Sequence, residues 1–155
     1  MTIDSRRIVG SYAEPNCLIT RTTGRENLGG AASTIYGRIR FFQQSIARAV
    51  HFLVNVADAA SSAYTVYYSP NSDPSGASDV ALGSAWTVGT GAAGTTKTIY
   101  LGNLTASGAL TVDADGFPQF APGDALYVKS GSSNGANGRV DIGVEWQFQS
   151  TAMLN

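Results

Sequence analysis

The chain has 155 residues, 43% of them hydrophobic and only 14% charged, with a formal net charge of −1. That length suits one domain able to bury roughly 68–70% of the surface its unfolded form exposes, so a core can form without covalent staples. The apolar content excludes wholesale disorder, and the single cysteine, Cys17, excludes an internal disulfide and a cysteine metal cluster.

Residues 1–33 read as an extended, irregular N-terminal arm. Pro15, Gly24, Gly29 and Gly30 interrupt any helical period, and Asn27-Leu28-Gly29-Gly30 reads as a turn. Ile3, Ile8, Val9, Tyr12, Leu18 and Ile19 supply apolar anchors, which favours a docked arm over a free tail. No apolar run of signal-peptide length follows Met1–Arg7. Charge is polarised along the chain. Residues 1–51 carry seven Arg against three acids, whereas residues 52–155 carry three basic residues against eight acids. An arginine-bearing leader suits an acidic neighbour, which makes Arg6, Arg7, Arg21 and Arg25 candidate contacts. Ordinary solvated arginines are the plain alternative.

Residues 34–155 read as a β domain. Thr34 to Phe42 alternate, with Ile35, Ile39 and Phe41 on one face and Tyr36, Arg38 and Arg40 on the other. Residues 45–60 fit two patterns. Ser45 could cap a helix with the stripe Ile46, Val50, Leu53, Val54 and Ala57. Alternatively Val50, Phe52, Val54 and Val56 line one face of a strand, and the β-branched content favours that strand. Ala63 to Tyr68 is a strand, followed by a long polar loop over 69–83 with Pro70, Pro74, Gly76 and Gly83.

Short strands are expected at 85–88, 95–101, 109–112 and 125–128, with a loop around Pro118 and a turn at Pro122-Gly123-Asp124. Residues 130–138 form a flexible turn region. The last strand is the clearest signal. Val140, Ile142, Val144, Trp146 and Phe148 alternate with Arg139, Asp141, Gly143, Glu145 and Gln147. Each inward side chain would contribute about 1.5–3 kcal/mol on burial. The tally is seven or eight strands in an antiparallel β-sandwich, jelly-roll-like or immunoglobulin-like, in an all-β chain.

Strings that resemble catalytic motifs lack their context. Gly89-Thr90-Gly91-Ala92-Ala93-Gly94 matches G-x-G-x-x-G, but a strand and not a helix follows, so no helix N-terminus is offered to a pyrophosphate. Gly131-Ser132-Ser133-Asn134-Gly135 matches G-x-S-x-G without a following helix, and the one His, His51, precedes it. Asp113-Ala114-Asp115-Gly116 begins like a calcium loop but has Pro118 where Gly is required and Asp124 where Glu is required. His51 alone cannot build a zinc site, and a structural role with one nitrogen hydrogen-bonded is expected of it. Arg38, Tyr36 and Arg40 are the nearest approach to a nucleic-acid patch, and the pI of about 5.7 argues against one. The expectation is a protein without cofactor, metal or catalytic residues that binds neither nucleic acid nor membrane.

The Gly, Ala, Ser and Thr-rich β content, the few charges and the apolar-bearing leader resemble small virion proteins of tailed bacteriophages. Phe117-Pro118-Gln119-Phe120-Ala121-Pro122-Gly123-Asp124-Ala125-Leu126-Tyr127-Val128 looks like the penultimate strand region of phage head-decoration and fibre-like sandwiches. The resemblance covers residues 34–150 and lies in style, not in a diagnostic motif. It implies a non-enzymatic homo-oligomer, a trimer by guess, located in the virion. One form is a decoration or cement protein bound to the major capsid protein. The other is a tail or fibre recognition module, whose Tyr67, Tyr68 and Trp86, with Tyr64, would stack on a carbohydrate. Core packing is the plain alternative for those aromatics.

Overall fold

The computed structural model describes residues 19–27, 35–57, 63–72, 76–83, 86–87, 92–130 and 138–149. Eleven strands are found among them: β1 (Ile19–Asn27), β2 (Ile35–Arg40), β3 (Ser45–Val56), β4 (Ala63–Ser69), β5 (Val80–Ala81), β6 (Trp86–Thr87), β7 (Thr96–Tyr100), β8 (Thr111–Val112), β9 (Pro118–Phe120), β10 (Ala125–Ser130) and β11 (Arg139–Phe148). They form two antiparallel sheets packed face to face, and the chain is an all-β sandwich. Sheet A runs β1-β11-β3-β9-β8, with β7 also on β3; sheet B runs β2-β10-β4-β5, with β6 also on β4. A short 3-10 turn, Pro70–Ser72, follows β4.

The helix-or-strand ambiguity over 45–60 resolves as β3, the longest strand. Period-two burial of Val50, Phe52 and Val54 accounts for it. One edge of β3 pairs with β11 along its whole length. The other edge pairs with β7 over Ala49–Leu53 and with β9 over Ser45–Ile46. A helix at this position would leave those two edges unpaired. β11 behaves as its alternation predicts: Val140, Ile142, Val144 and Trp146 are buried in the core.

Three expectations are corrected. First, β2 does not keep one alternation. Gly37 has φ +58, and the register slips between Leu126↔Ile39 and Val128↔Tyr36, so two β2 residues oppose Tyr127. This bulge turns Tyr36 into the core and leaves Ile35 exposed, the reverse of strict alternation. Second, part of the segment read as an irregular arm is a strand. Ile19–Asn27 pairs antiparallel with β11, with its own register shift between Thr22 and Arg25. Third, Pro118 begins a strand. As first residue of β9 it pairs with Val112, and a strand's first position tolerates a missing N–H. Inside the 69–83 loop, Val80–Ala81 also forms a short strand on β4.

The core draws on both sheets. Phe41 lies 4.4 Å from Phe120 and 5.8 Å, edge on, from Trp146, while Tyr36 meets Tyr64 at 6.0 Å. One buried carboxylate closes a corner of it. Asp124 follows the Pro122-Gly123 turn and accepts hydrogen bonds from the Tyr68 hydroxyl (2.9 Å), Asn71 N–H (2.9 Å) and Ala121 N–H (2.8 Å). Its backbone carbonyl accepts from Phe41 N–H at 2.8 Å. The turn thereby ties β2, β4, β9 and β10 together.

Candidate interaction surface

The outer face of sheet A is built from rows that cross the strands. Antiparallel partners share a face. Glu145, Ala49 and Tyr100 form one row, Gly143, His51 and Thr98 the next, and Asp141, Leu53 and Thr96 the third. Gly143 is small and buried, and a shallow trough opens over the second and third rows. His51, Leu53, Thr96, Lys97, Thr98 and Asp141 line it. Tyr100 is 78% exposed and Leu53 38%. The strand period explains both: positions 96, 98 and 100 of β7 turn away from the core, so Tyr100 projects into solvent.

His51 is held on this face from both sides. Its Nδ1 lies 3.0 Å from the Thr98 hydroxyl on β7, and its Nε2 lies 3.4 Å from a Glu145 carboxylate oxygen on β11. The ring is thus an orienting element between three strands. Among the described residues no group of three His, Cys, Asp or Glu side chains could hold a metal ion.

The outer face of sheet B is different. Tyr67 and Tyr127 stack at 5.5 Å with an interplanar angle of 15°. The Arg38 guanidinium lies 5.2 Å from the Tyr127 ring centre, and the Lys129 ammonium 5.6 Å from that of Tyr67. The Tyr127 hydroxyl donates to Asp79, so the loop before β5 roofs this ring. Burial, the Asp79 hydrogen bond and the Asp79 charge push the Tyr127 phenol well above its ordinary value.

The residues singled out in the sequence are scattered over the molecule. Arg6 and Arg7 lie outside the described residues. Arg21 and Arg25 stand on β1 at the register positions of Val144 and Asp141. Tyr64 and Tyr68 are buried in the core, whereas Tyr67 is half-buried on the outer face of sheet B. Tyr68 donates to Asp124 and packs 5.2 Å from Phe120, so it is a core residue and not a stacking surface. Trp86 pairs with Tyr64 on β6. Tyr67 and Tyr68 therefore cannot act on one ligand, since neighbours along a strand face opposite ways. Sequence reasoning missed Tyr100 and Leu53; the alternation of 96–100 carried the signal for the first.

Ala92–Gly94 is a turn leading into strand β7; because β6 pairs with β4 and β7 with β3, the string expected to be a hairpin loop joins two sheets instead, and Gly89–Gly91 and Gly131–Gly135 lie outside the described residues. Asp113-Ala114-Asp115-Gly116 is a turn whose Asp115 and Gly116 carbonyls accept from Asn103 and Leu104 N–H. Asp113 Oδ1 accepts from Asp115 N–H (3.0 Å) and Phe117 N–H (2.8 Å), while Oδ2 lies 3.9 Å from Arg48. That carboxylate is committed to shaping its own loop.

No known protein-family model matches the chain, and no curated protein does either. Among solved structures it is similar to a chain of infectious bursal disease virus, Gx strain, at 12% identity and a TM-score of 0.36. The likeness covers 87% of this chain and 37% of that one. So distant a likeness transfers neither a role nor a site. No helix among the described residues is long and apolar enough to cross a membrane.

Proposed function

We propose that the chain is a non-enzymatic structural protein of a virion, a decoration or cement protein on the head of a tailed bacteriophage. The observation that carries this reading is the outer face of sheet A, where Tyr100 and Leu53 stand exposed beside a floor of small residues. An exposed aromatic beside a shallow trough suits contact with another protein, because aromatics dominate the energetics of such contacts. The composition and the 117–128 turn-and-strand region, which resemble phage virion proteins, give the class of partner: the major capsid protein or another virion protein. Arg6, Arg7, Arg21 and Arg25 are the candidate contacts to acidic surface on that partner.

The protein would act by mass action. A protein that binds only the assembled shell stabilises it, by about 2.7 kcal/mol per site at a hundred times its Kd. No catalytic step is required, and copies of the chain would cluster over neighbouring capsid subunits as a homo-oligomer.

The test is binding of the Tyr100→Lys and Leu53→Lys variants to capsids of the same virus assembled without the protein. Binding should weaken at least about tenfold, equivalent to ~1.4 kcal/mol. Thermal stability should stay within about 0.5 kcal/mol, because both side chains lie at the surface. Undiminished binding by both variants would remove sheet A from the interface. A second reading, a tail or fibre module that binds a carbohydrate, draws on the half-buried Tyr67 ring beneath Lys129. Glycan binding lost in Tyr67→Ala, together with no affinity for capsids, would favour it.

A further inference from the structure

Three strands of five residues or more have a strand neighbour on one side only among the described residues: β1, β2 and β7. Two of them carry an irregularity. The register of β1 on β11 shifts between Thr22 and Arg25, and that of β2 on β10 slips between Leu126 and Val128. Bulges of this kind twist an edge away from a further strand. β7 has none: its pairing on β3 runs unbroken from Ala49↔Tyr100 to Leu53↔Thr96. No proline interrupts it either, and Lys97 is its single charged side chain. This edge therefore keeps the regular geometry that another strand can extend.

The bonds at the two ends of β7 fix where its backbone groups point. Leu101 N–H donates to the Arg48 carbonyl at 3.0 Å, and the Thr95 carbonyl accepts from Val54 N–H at 2.9 Å. Odd-numbered residues thus bond to β3, and by antiparallel alternation Thr96, Thr98 and Tyr100 direct their N–H and C=O groups away from it. A second β7 run antiparallel to the first can meet these groups. Centred on Thr98, three pairs each exchange both hydrogen bonds: Thr96↔Tyr100, Thr98↔Thr98 and Tyr100↔Thr96. Centred on Lys97 or Ile99, only two such pairs form, and the first of these registers sets the two ammonium groups directly opposite each other, which is unfavourable. The Thr98 register sets Lys97 against Ile99 of the second copy instead. It also carries the rows of sheet A across the junction, so that Ala49 and Tyr100 of one copy continue into Thr96 and Leu53 of the other. Tyr100, 78% exposed in the single chain, then has Thr96 beside it and Leu53 one strand further on.

We propose that two copies of the chain pair through β7 about a twofold axis at Thr98, which joins their two A sheets into one continuous sheet. Antiparallel pairing of an edge with itself is closed by that axis and consumes the edge, so the unit is a dimer. Five residues a side is fewer than the ~20–30 of a standard interface, so the dimer forms in a concentration-dependent way. Pairing edge to edge leaves both outer faces of sheet A open to other partners. The inference goes beyond the virion reading and does not rest on it.

The experiment is sedimentation velocity of the full-length chain from about 1 μM to about 1 mM, a range that covers weak association. The mass should rise from that of the 16.1 kDa monomer to twice that value. Hydrogen exchange at the two ends of the range should slow at least about tenfold at the Thr96, Thr98 and Tyr100 amides as the dimer forms. Thr98→Pro removes the central donor at an outward-facing edge position, and Thr98→Lys sets like charges opposite each other. Each should raise the dimer Kd at least about tenfold. The exchange comparison uses the unaltered chain, so it decides the matter even where a variant fails to fold. A chain that stays monomeric throughout, a rise in mass without slower exchange at those amides, or a dimer unchanged in both variants would overturn the proposal. No capsid enters these measurements, so their outcome is separate from that of the virion reading.

Discussion

One carboxylate, Asp124, gathers three donors from three places in the chain, and its loss would be felt at each of them. Asp124→Ala leaves Tyr68 Oη–H and the N–H groups of Asn71 and Ala121 without their acceptor. The expected cost is about 3 kcal/mol in urea unfolding, since hydrogen bonds to charged groups contribute more than neutral ones. The same corner gives a pH dependence. Burial, the hydrogen bond to Asp124 and its charge push the Tyr68 phenol well above its ordinary value, and Tyr127 is raised in the same direction beside Asp79. A raised folded value means that the unfolded chain releases these protons first. Stability contributed by the neutral phenols is therefore complete below about pH 10 and falls as pH rises beyond it. Thermal melts from pH 8 to 11.5 should show that fall, and it should be smaller in the Tyr68→Phe, Tyr127→Phe double variant. Much of this was hidden in the sequence. Alternation alone separates Tyr67 from Tyr64 and Tyr68, but which side is core depends on the opposing sheet. Asp124 read only as a turn residue because its partners lie up to 56 positions away.

Elements were legible in proportion to their length and regularity. β11 alternates over ten residues, and it and β4 are plain in the sequence because one face of each is continuously apolar. Strands of two or three residues that fall inside an expected loop, such as β5 and β9, exist only through their partners and carry no periodic signal of their own. β2 misled because a single glycine shifts its phase. Gly37 holds φ +58, and an added Cβ would stand 3.1 Å from an Ile142 methyl. Gly37→Ala should cost about 1–2 kcal/mol or more, read as a lower urea midpoint, from the left-handed backbone alone. Over 19–27 the irregular reading of the arm fails. Gly24 and the turn residues at 27–30 suggested irregular chain, yet 19–27 completes the edge of sheet A beside β11. Deletion of residues 1–18 should therefore leave a folded, soluble sandwich. Deletion of 1–27 should strip β11 of its neighbour and produce aggregation, because it exposes a long, regular strand edge. Size-exclusion chromatography of the two truncations distinguishes these outcomes.

At the scale of the molecule, the sandwich leaves two unlike outer faces. Sheet B covers its tyrosine pair with cations and a loop, whereas sheet A leaves Tyr100 and Leu53 open. The fold class followed from strand-like patterns and frequent turns. The exposed patch did not, because it requires β3, β7 and β11 to lie side by side, and those strands are separated in the chain by other elements. The claim that ties these levels together is that the chain binds an assembled protein shell. Co-sedimentation of the full-length protein with capsids of the same virus assembled without it tests that claim most directly. The account predicts saturable binding at a fixed ratio to the capsid subunit, weakened in Tyr100→Lys. Protein left wholly in the supernatant, at concentrations where it is folded and soluble, would contradict it.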